Sequence, residues 1–200
     1  MKINPLTYAE LSRPMYVLEE ARLRENLNLI SHVAKEADVE IILAFKAYAL
    51  WRTFPIFREY IKATTASSLF EARLGFEEFG APTHTFSPGY TDYEIDDIAR
   101  CSSHLVFNSL TQYERYHVRA KMENKKLSYG LRVNPEYSEV ETLIYNPCAP
   151  GTRFGISSNK LPETLPEDVD GFHIHCHCES DSDVFERTLV HIEEKFAKWF

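Results

Sequence analysis

"VEIILAFK" occupies residues 39–46, and its run from Ile41 to Phe45 contains no polar side chain. A strand with one wet face alternates apolar and polar residues, so an unbroken apolar run suits a strand covered on both faces, as in a parallel sheet. The run closes on Lys46. Desolvation at the end of an apolar strand disfavours the charged ammonium, and an uncharged amine is a good nucleophile for Schiff-base chemistry. The plainer alternative is a lysine that has just reached solvent where the strand ends.

Working outward, the same strand-then-helix grammar recurs. Upstream, "PMYVL" (14–18) reads as a short strand. It leads into "EEARLRENLNLISHVAKEAD" (19–38), where Leu23, Leu27, Ile30 and Ala34 fall at helical spacing. Downstream, "LWRTFPIFREYI" (50–61) is helical in tendency, started or interrupted by Pro55. Strands follow at 62–67, 83–88, 103–108, 126–135 and 170–177. Helices lie between them at 68–80, stopped by Gly80, at 91–101, and at 109–124 with Ser109 as N-cap. A final helix spans 182–200, and 136–168 is irregular, with six prolines or glycines. Six strands alternating with helices are the signature of βα units on a parallel sheet. The expected fold class is α/β, the N-terminal portion of a (β/α)8 TIM-type barrel. Residues 1–38 form a strand and helix leading in, and residues 39–200 a partial barrel. A closed barrel needs about 250 residues, so this one is expected to stop before closure, with "PMYVL" outside it.

Bulk properties exclude several roles. The net charge is −8 with acids spread throughout, which disfavours nucleic acid or an anionic membrane as partner, since those need a basic stripe. No apolar run approaches the roughly 20 residues of a membrane span, and "MKINPLTYAEL" lacks the apolar middle of a signal peptide. Four cysteines make no disulfide framework in 200 residues, so a cytoplasmic setting is the default. Neither GxGxxG nor GxxxxGK[ST] occurs, which removes the main support for Rossmann and P-loop readings.

In barrels of this kind the chemistry gathers at the carboxyl ends of strands. There the sequence places Lys46, Ser67 and Ser68, Ser87, Asn108, Arg132 with Asn134, and His175 with His177. Each could be a loop residue or a cap. Ser67 and Ser68 could cap the next helix, with Glu71 completing a capping box. Arg132 is harder to dismiss, because a long cation on a barrel strand needs an anionic or hydrogen-bonding partner. "GFHIHCHCES" (171–180) looks at first like a zinc site. Strand alternation, however, sends His173, His175 and His177 one way and Cys176 and Cys178 the other, toward covering helices. Same-face neighbours lie roughly 6.5 to 7 Å apart, so two can share one ion and three rarely can. No metal is expected.

The ordered motifs "YVLEEARLRENL" (16–27), "ILAFKAYA" (42–49), "TTASSLFEARLG" (64–75), "SPGY" (87–90), "FNS" (107–109), "LRVNP" (131–135), "GTRFGI" (151–156) and "GFHIHCHCE" (171–179) span nearly the whole chain. Through them the sequence resembles the fold-type III pyridoxal-phosphate decarboxylases, the group of alanine racemase, ornithine decarboxylase and diaminopimelate decarboxylase. Within that group it is most like the carboxynorspermidine (carboxyspermidine) decarboxylase branch. The resemblance implies pyridoxal 5'-phosphate as cofactor, with Lys46 bonded to its aldehyde and His175 stacked on the pyridine ring. It also implies a positioning carboxylate at Glu71, cofactor contacts from Ser68 and Arg132, and a basic substrate-binding residue at Arg153. The implied reaction is decarboxylation of carboxynorspermidine or carboxyspermidine to norspermidine or spermidine in polyamine biosynthesis, by a homodimer in the full-length protein.

The family's glycine-rich phosphate loop, the carboxylate that pairs with the pyridine nitrogen, and the C-terminal β-domain lie beyond residue 200. The chain is therefore expected to be the N-terminal half of a longer enzyme, inactive alone. The competing readings are a diaminopimelate- or ornithine-type decarboxylase, a non-catalytic pyridoxal-phosphate-binding barrel, and a metal-dependent barrel hydrolase using His173 and His175.

Overall fold

The computed structural model describes residues 13–200. The chain divides into two compact units, residues 1–41 and 42–200. In the first, helix α1 (Glu20–Glu36) carries Glu20 in its first turn and Lys35 in its last, each opposing the helix dipole with the favourable sign. Arg24 donates to Glu20 one turn away, at 2.9 Å. The strand expected at 14–18 does not form. Nothing among the described residues pairs with it, and Met15, Tyr16 and Val17 are exposed. Strand propensity without a ladder partner leaves extended backbone only.

The second unit is built on six strands: β1 (Leu43–Ala44), β2 (Thr64–Ala66), β3 (Thr83–Phe86), β4 (Ser102–Phe107), β5 (Ser128–Arg132) and β6 (Val169–His173). They lie in sequence order, and every neighbouring pair is parallel. Between them run α2 (Phe54–Phe57), α3 (Leu69–Leu74), α4 (Ile95–Cys101) and α5 (Leu110–Glu123), and α6 (Ser182–Phe196) follows β6. The expected α/β class and the count of six strands are both met. The edges differ. Only Leu43 and Ala44 of the 39–45 run enter a ladder, with Thr64 and Thr65 as partners. The 50–61 segment is a 3-10 turn (Trp51–Thr53) followed by one turn of α-helix with Pro55 in it. The strand expected over 170–177 ends at His173.

The side of the sheet toward the helices is close-packed. Leu105, Phe107, Tyr129 and Leu131 point from β4 and β5 onto Ile95, Ile98, Tyr113 and Tyr116, all buried. Phe107 and Tyr113 meet edge to face at 5.6 Å. Beside this apolar core runs a chain of buried hydroxyls, in which Thr83 meets Thr85 and Thr85 meets Ser102, each at 2.7 Å, and Ser102 donates to the Ile98 carbonyl at 2.7 Å. Burying hydroxyls is tolerable only because each has a partner. Outside, Arg119 grips Asp96 with two bonds of 2.6 and 2.7 Å, and Arg115 reaches Asp92, joining α5 to α4 and its approach. Surface ion pairs of this kind are each worth little to stability. Among the described residues no helix is long and apolar enough to cross a membrane.

After α3 the chain continues as a π-helical turn, Gly75–Phe79, and stops at Gly80 in the left-handed region at φ 77°. Gly75 marks the closest approach of helix to sheet. A Cβ there would lie 2.2 Å from Thr83 Cγ2. Gly75→Ala is expected to destabilise the fold by about 1–3 kcal/mol, the usual penalty for overpacking, and urea unfolding followed by circular dichroism will measure it.

Candidate active site

Parallel pairing brings the carboxyl ends of all six strands to one rim, and most of the candidate residues stand there. Lys46 lies in the turn just after β1, with an exposed side chain. The solvent-reaching alternative therefore holds within this chain, and the described residues do not supply the expected desolvation. Arg132 is the last residue of β5 and pairs in register with His173, the last residue of β6. His175 follows two residues on.

Arg132 is the most unusual group in the site. It is 5% exposed, yet among the described residues no aspartate or glutamate charge acts on it. Its guanidinium carbon sits 4.8 Å from the Phe86 ring centroid and 4.6 Å from that of Phe154. One Nη2 donates to the His175 carbonyl at 3.2 Å. Burial lowers its pKa from the ordinary arginine value. Ring faces and a carbonyl can solvate the cation in part, but a buried cation without an anion is an incomplete arrangement.

The histidines feel the same surroundings. Loss of water, then Arg132, His175 and Lys46, push His173 down to about 4. Loss of water, then Lys46 and Arg132, lower the more exposed His175. Both rings are thus favoured as neutral imidazoles at pH 7. Their centroids are 6.3 Å apart, close to the strand-alternation spacing. His173 also lies 4.8 Å from Phe86, and its Nε2 is buried without a hydrogen-bond partner. Lower on the same face is a cavity of about 490 Å3 with Thr65, His84, His104, Gly130 and His173 in its wall. Neither Lys46, Arg132 nor His175 lines it. His84 and His104 stand there with centroids 3.8 Å apart, and burial followed by the His104 charge holds His84 at about 4.

The remaining expected site residues are engaged differently. Ser68 is the N-cap of α3, accepting from the Glu71 amide at 3.3 Å, while the Glu71 carboxylate accepts from the Ser67 amide at 2.6 Å. That is a variant of the capping box, the carboxylate reaching the residue before the N-cap, and no hydrogen bond joins Glu71 to His175. Arg153 is exposed in the 151–156 turn, and what its residue gives the site is a carbonyl that accepts from Asn108 Nδ2 at 2.8 Å. Of the cysteines expected to face helices, Cys176 is buried beside Cys148 and Cys178 is exposed. A hydrogen bond with Cys148, then burial, raises the Cys176 thiol. Among the described residues no group of three or more His, Cys, Asp or Glu side chains is placed to hold a metal ion.

Sequence reasoning missed Phe86, Phe154, Tyr90 and the His84–His104 pair. Tyr90, from the weak "SPGY" motif, ties two strand ends together, its hydroxyl lying 2.9 Å from the Val106 carbonyl and 3.2 Å from that of Thr85. The signal for Phe154 was the glycine after it. Gly155 has φ 78°, and a Cβ there would meet the Val133 carbonyl carbon at 3.0 Å, so the turn must carry its neighbour inward over β5.

Against this geometry stand the comparisons with known proteins. No family model matches the chain. It is 41% identical over 191 residues to carboxyaminopropylagmatine decarboxylase of Synechocystis, covering 96% of this chain and 49% of that one. It is 36% identical over 192 residues to carboxynorspermidine/carboxyspermidine decarboxylase of Campylobacter jejuni, again covering 96% and 49%. By sequence and fold, the chain is similar to the carboxy(nor)spermidine decarboxylases. The crystal structure of the Campylobacter jejuni carboxynorspermidine decarboxylase with norspermidine superposes at TM-score 0.82 with 34% identity, over 94% of this chain and 48% of that one. Diaminopimelate decarboxylase from Helicobacter pylori, at 12% identity and TM-score 0.73, over 96% of this chain and 52% of that one, shares the fold alone. The chain spans about half the length of the curated relatives it matches. Its six-stranded parallel α/β sheet shares the fold of these decarboxylases over that part of their length.

The two strongly shifted histidines set a pH dependence. His84 and His173 titrate near 4 when folded, below the roughly 6.5 of an unfolded histidine. Between those values the unfolded chain binds more protons, so stability falls as pH drops from about 6.5 to about 4. Urea midpoints measured across that window should decline, and His84→Gln should flatten the decline.

Proposed function

We propose that this protein is a pyridoxal 5'-phosphate-dependent decarboxylase of carboxylated polyamine-type substrates, converting carboxynorspermidine or carboxyspermidine to norspermidine or spermidine. The observation that carries this reading is Arg132, a buried cation with no carboxylate partner among the described residues, set beside an orphaned His173 Nε2 on the rim that also holds Lys46. A phosphorylated aromatic aldehyde suits such a place, since it brings negative charge, a flat ring and a carbon that an amine can attack. When bound, this cofactor would take up the electron pair left as carbon dioxide departs.

Lys46 supplies the amine that holds the aldehyde. Arg132 offers its guanidinium edge to an anionic oxygen. His175 would hold the ring, and as a neutral imidazole it would add no further cation beside Lys46. His173 is a second candidate for that contact, favoured by its unpartnered nitrogen and its register with Arg132. Ser68 and Glu71 border the cofactor through the cap they build, and Arg153 meets the substrate carboxylate. Residues 39–200 act as the cofactor-binding part of a cytoplasmic homodimer, a reading supported by the resemblance of the motifs. Carboxyaminopropylagmatine is a second substrate, favoured by the 41% identity to the Synechocystis enzyme.

The test uses the protein at its natural length. A visible absorbance band, bleached by borohydride, is expected after loading with pyridoxal phosphate and should vanish in Lys46→Ala. A band that survives in Lys46→Ala would remove Lys46 from its role. Carbon dioxide should be released from carboxynorspermidine, carboxyspermidine or carboxyaminopropylagmatine, and not from ornithine, lysine or diaminopimelate. Release from none of the six overturns the decarboxylase reading, and release from ornithine or diaminopimelate alone moves the protein to another branch.

A further inference from the structure

The Arg132 guanidinium packs against both the Phe86 and the Phe154 ring, and the two rings are held by different means. Phe86 is fixed by the sheet as the last residue of β3. Phe154 belongs to an irregular turn, 38% exposed, and needs an anchor. Asn108 provides it. The Asn108 carboxamide donates through Nδ2 to the Arg153 carbonyl at 2.8 Å and accepts through Oδ1 from the Gly155 amide at 2.9 Å. One side chain thus brackets Phe154 on both sides, as a neighbouring strand would. Below it, the Ile156 amide donates to the Arg132 carbonyl and the Asn134 amide to the Ile156 carbonyl, each at 2.9 Å. Gly155 lets the backbone press onto Val133, where any side chain would collide. The whole turn is therefore built onto the end of β5, with the Phe154 ring over the Arg132 guanidinium.

We infer that Phe154, bracketed by Asn108, is a positioning residue that clamps Arg132 so that its free guanidinium edge meets the cofactor. A buried guanidinium packed against two aromatic rings keeps its N–H edge for hydrogen bonding, and that edge is the part that pairs with an anionic oxygen. One nitrogen is already committed to the His175 carbonyl, so the direction of the remaining edge is set by the clamp. Without Phe154 the same cation would gain water on one face and freedom to swing. This inference rests on the cofactor reading above, yet the clamp itself can be seen without any cofactor.

The test has two arms on the protein at its natural length. The first is the Nε–Hε resonance of Arg132, assigned by its loss in Arg132→Lys and recorded without cofactor. It should be displaced by the ring currents, move toward the solvent-exposed arginine position in Phe154→Ala, and stay in Phe154→Trp. The second is the affinity for pyridoxal phosphate, titrated by visible absorbance. It should weaken about tenfold in Phe154→Ala, in line with loss of one partly desolvated cation–π contact. It should be rescued by Phe154→Trp and weakened in the same direction by Asn108→Ala. An Arg132 resonance unmoved in Phe154→Ala overturns the clamp, and a moved resonance with unchanged affinity overturns its positioning role. If the unaltered protein takes up no pyridoxal phosphate, the proposed function fails, while the resonance arm still decides the clamp.

Discussion

The parallel ladder is the constraint on which the rest depends. Antiparallel strands would deliver alternate ends to opposite edges of the sheet, whereas parallel strands in sequence order deliver every carboxyl end to the same edge. Lys46, Arg132 and His175 are far apart in sequence, and only this pairing makes them neighbours. The ladder also fixes register, and register seats Arg132 opposite His173. A one-residue slip in β5 would turn Arg132 into the apolar layer that Leu131 now fills.

Much of this was legible in the sequence because it rests on periodicity. All six strands and the five helices after them came from apolar spacing, with Ser109 and Gly80 marking a start and a stop. Where the reading failed, the missing information was not local. "PMYVL" has good strand chemistry, but a strand exists only with a partner, and no local pattern reports one. The apolar run at 39–45 likewise kept just two residues in a ladder, and the histidine strand stopped at His173, so alternation arguments for Cys176 and Cys178 had no strand to act on. Cys178 is exposed in consequence. Phe86 and Phe154 escaped notice because a phenylalanine in a strand or turn signals packing, and nothing in its identity says that what it packs against is a cation.

Charge explains why the site is so uneven in composition. A carboxylate beside Arg132 would satisfy it fully and leave it nothing to offer. Two ring faces and one carbonyl satisfy it only in part, keeping the cation buried and available. The nearby imidazoles then cannot easily take protons, first because burial strips them of water and then because Arg132 and Lys46 add positive charge beside them. The rim is thus cationic within a chain whose net charge is −8, a local field opposite in sign to the whole.

The π-helical turn at Gly75–Phe79 has a consequence for how the chain can vary in length. A π turn is an α turn carrying one surplus residue. Gly75 is locked against Thr83 at its start, and Gly80 closes it in a left-handed conformation. Between those two glycines the unit from β2 to β3 has a built-in slack of one position. A one-residue deletion there could be absorbed by reverting to α-helix, leaving both strands in register. The same deletion inside β3 would turn Phe86 away from Arg132.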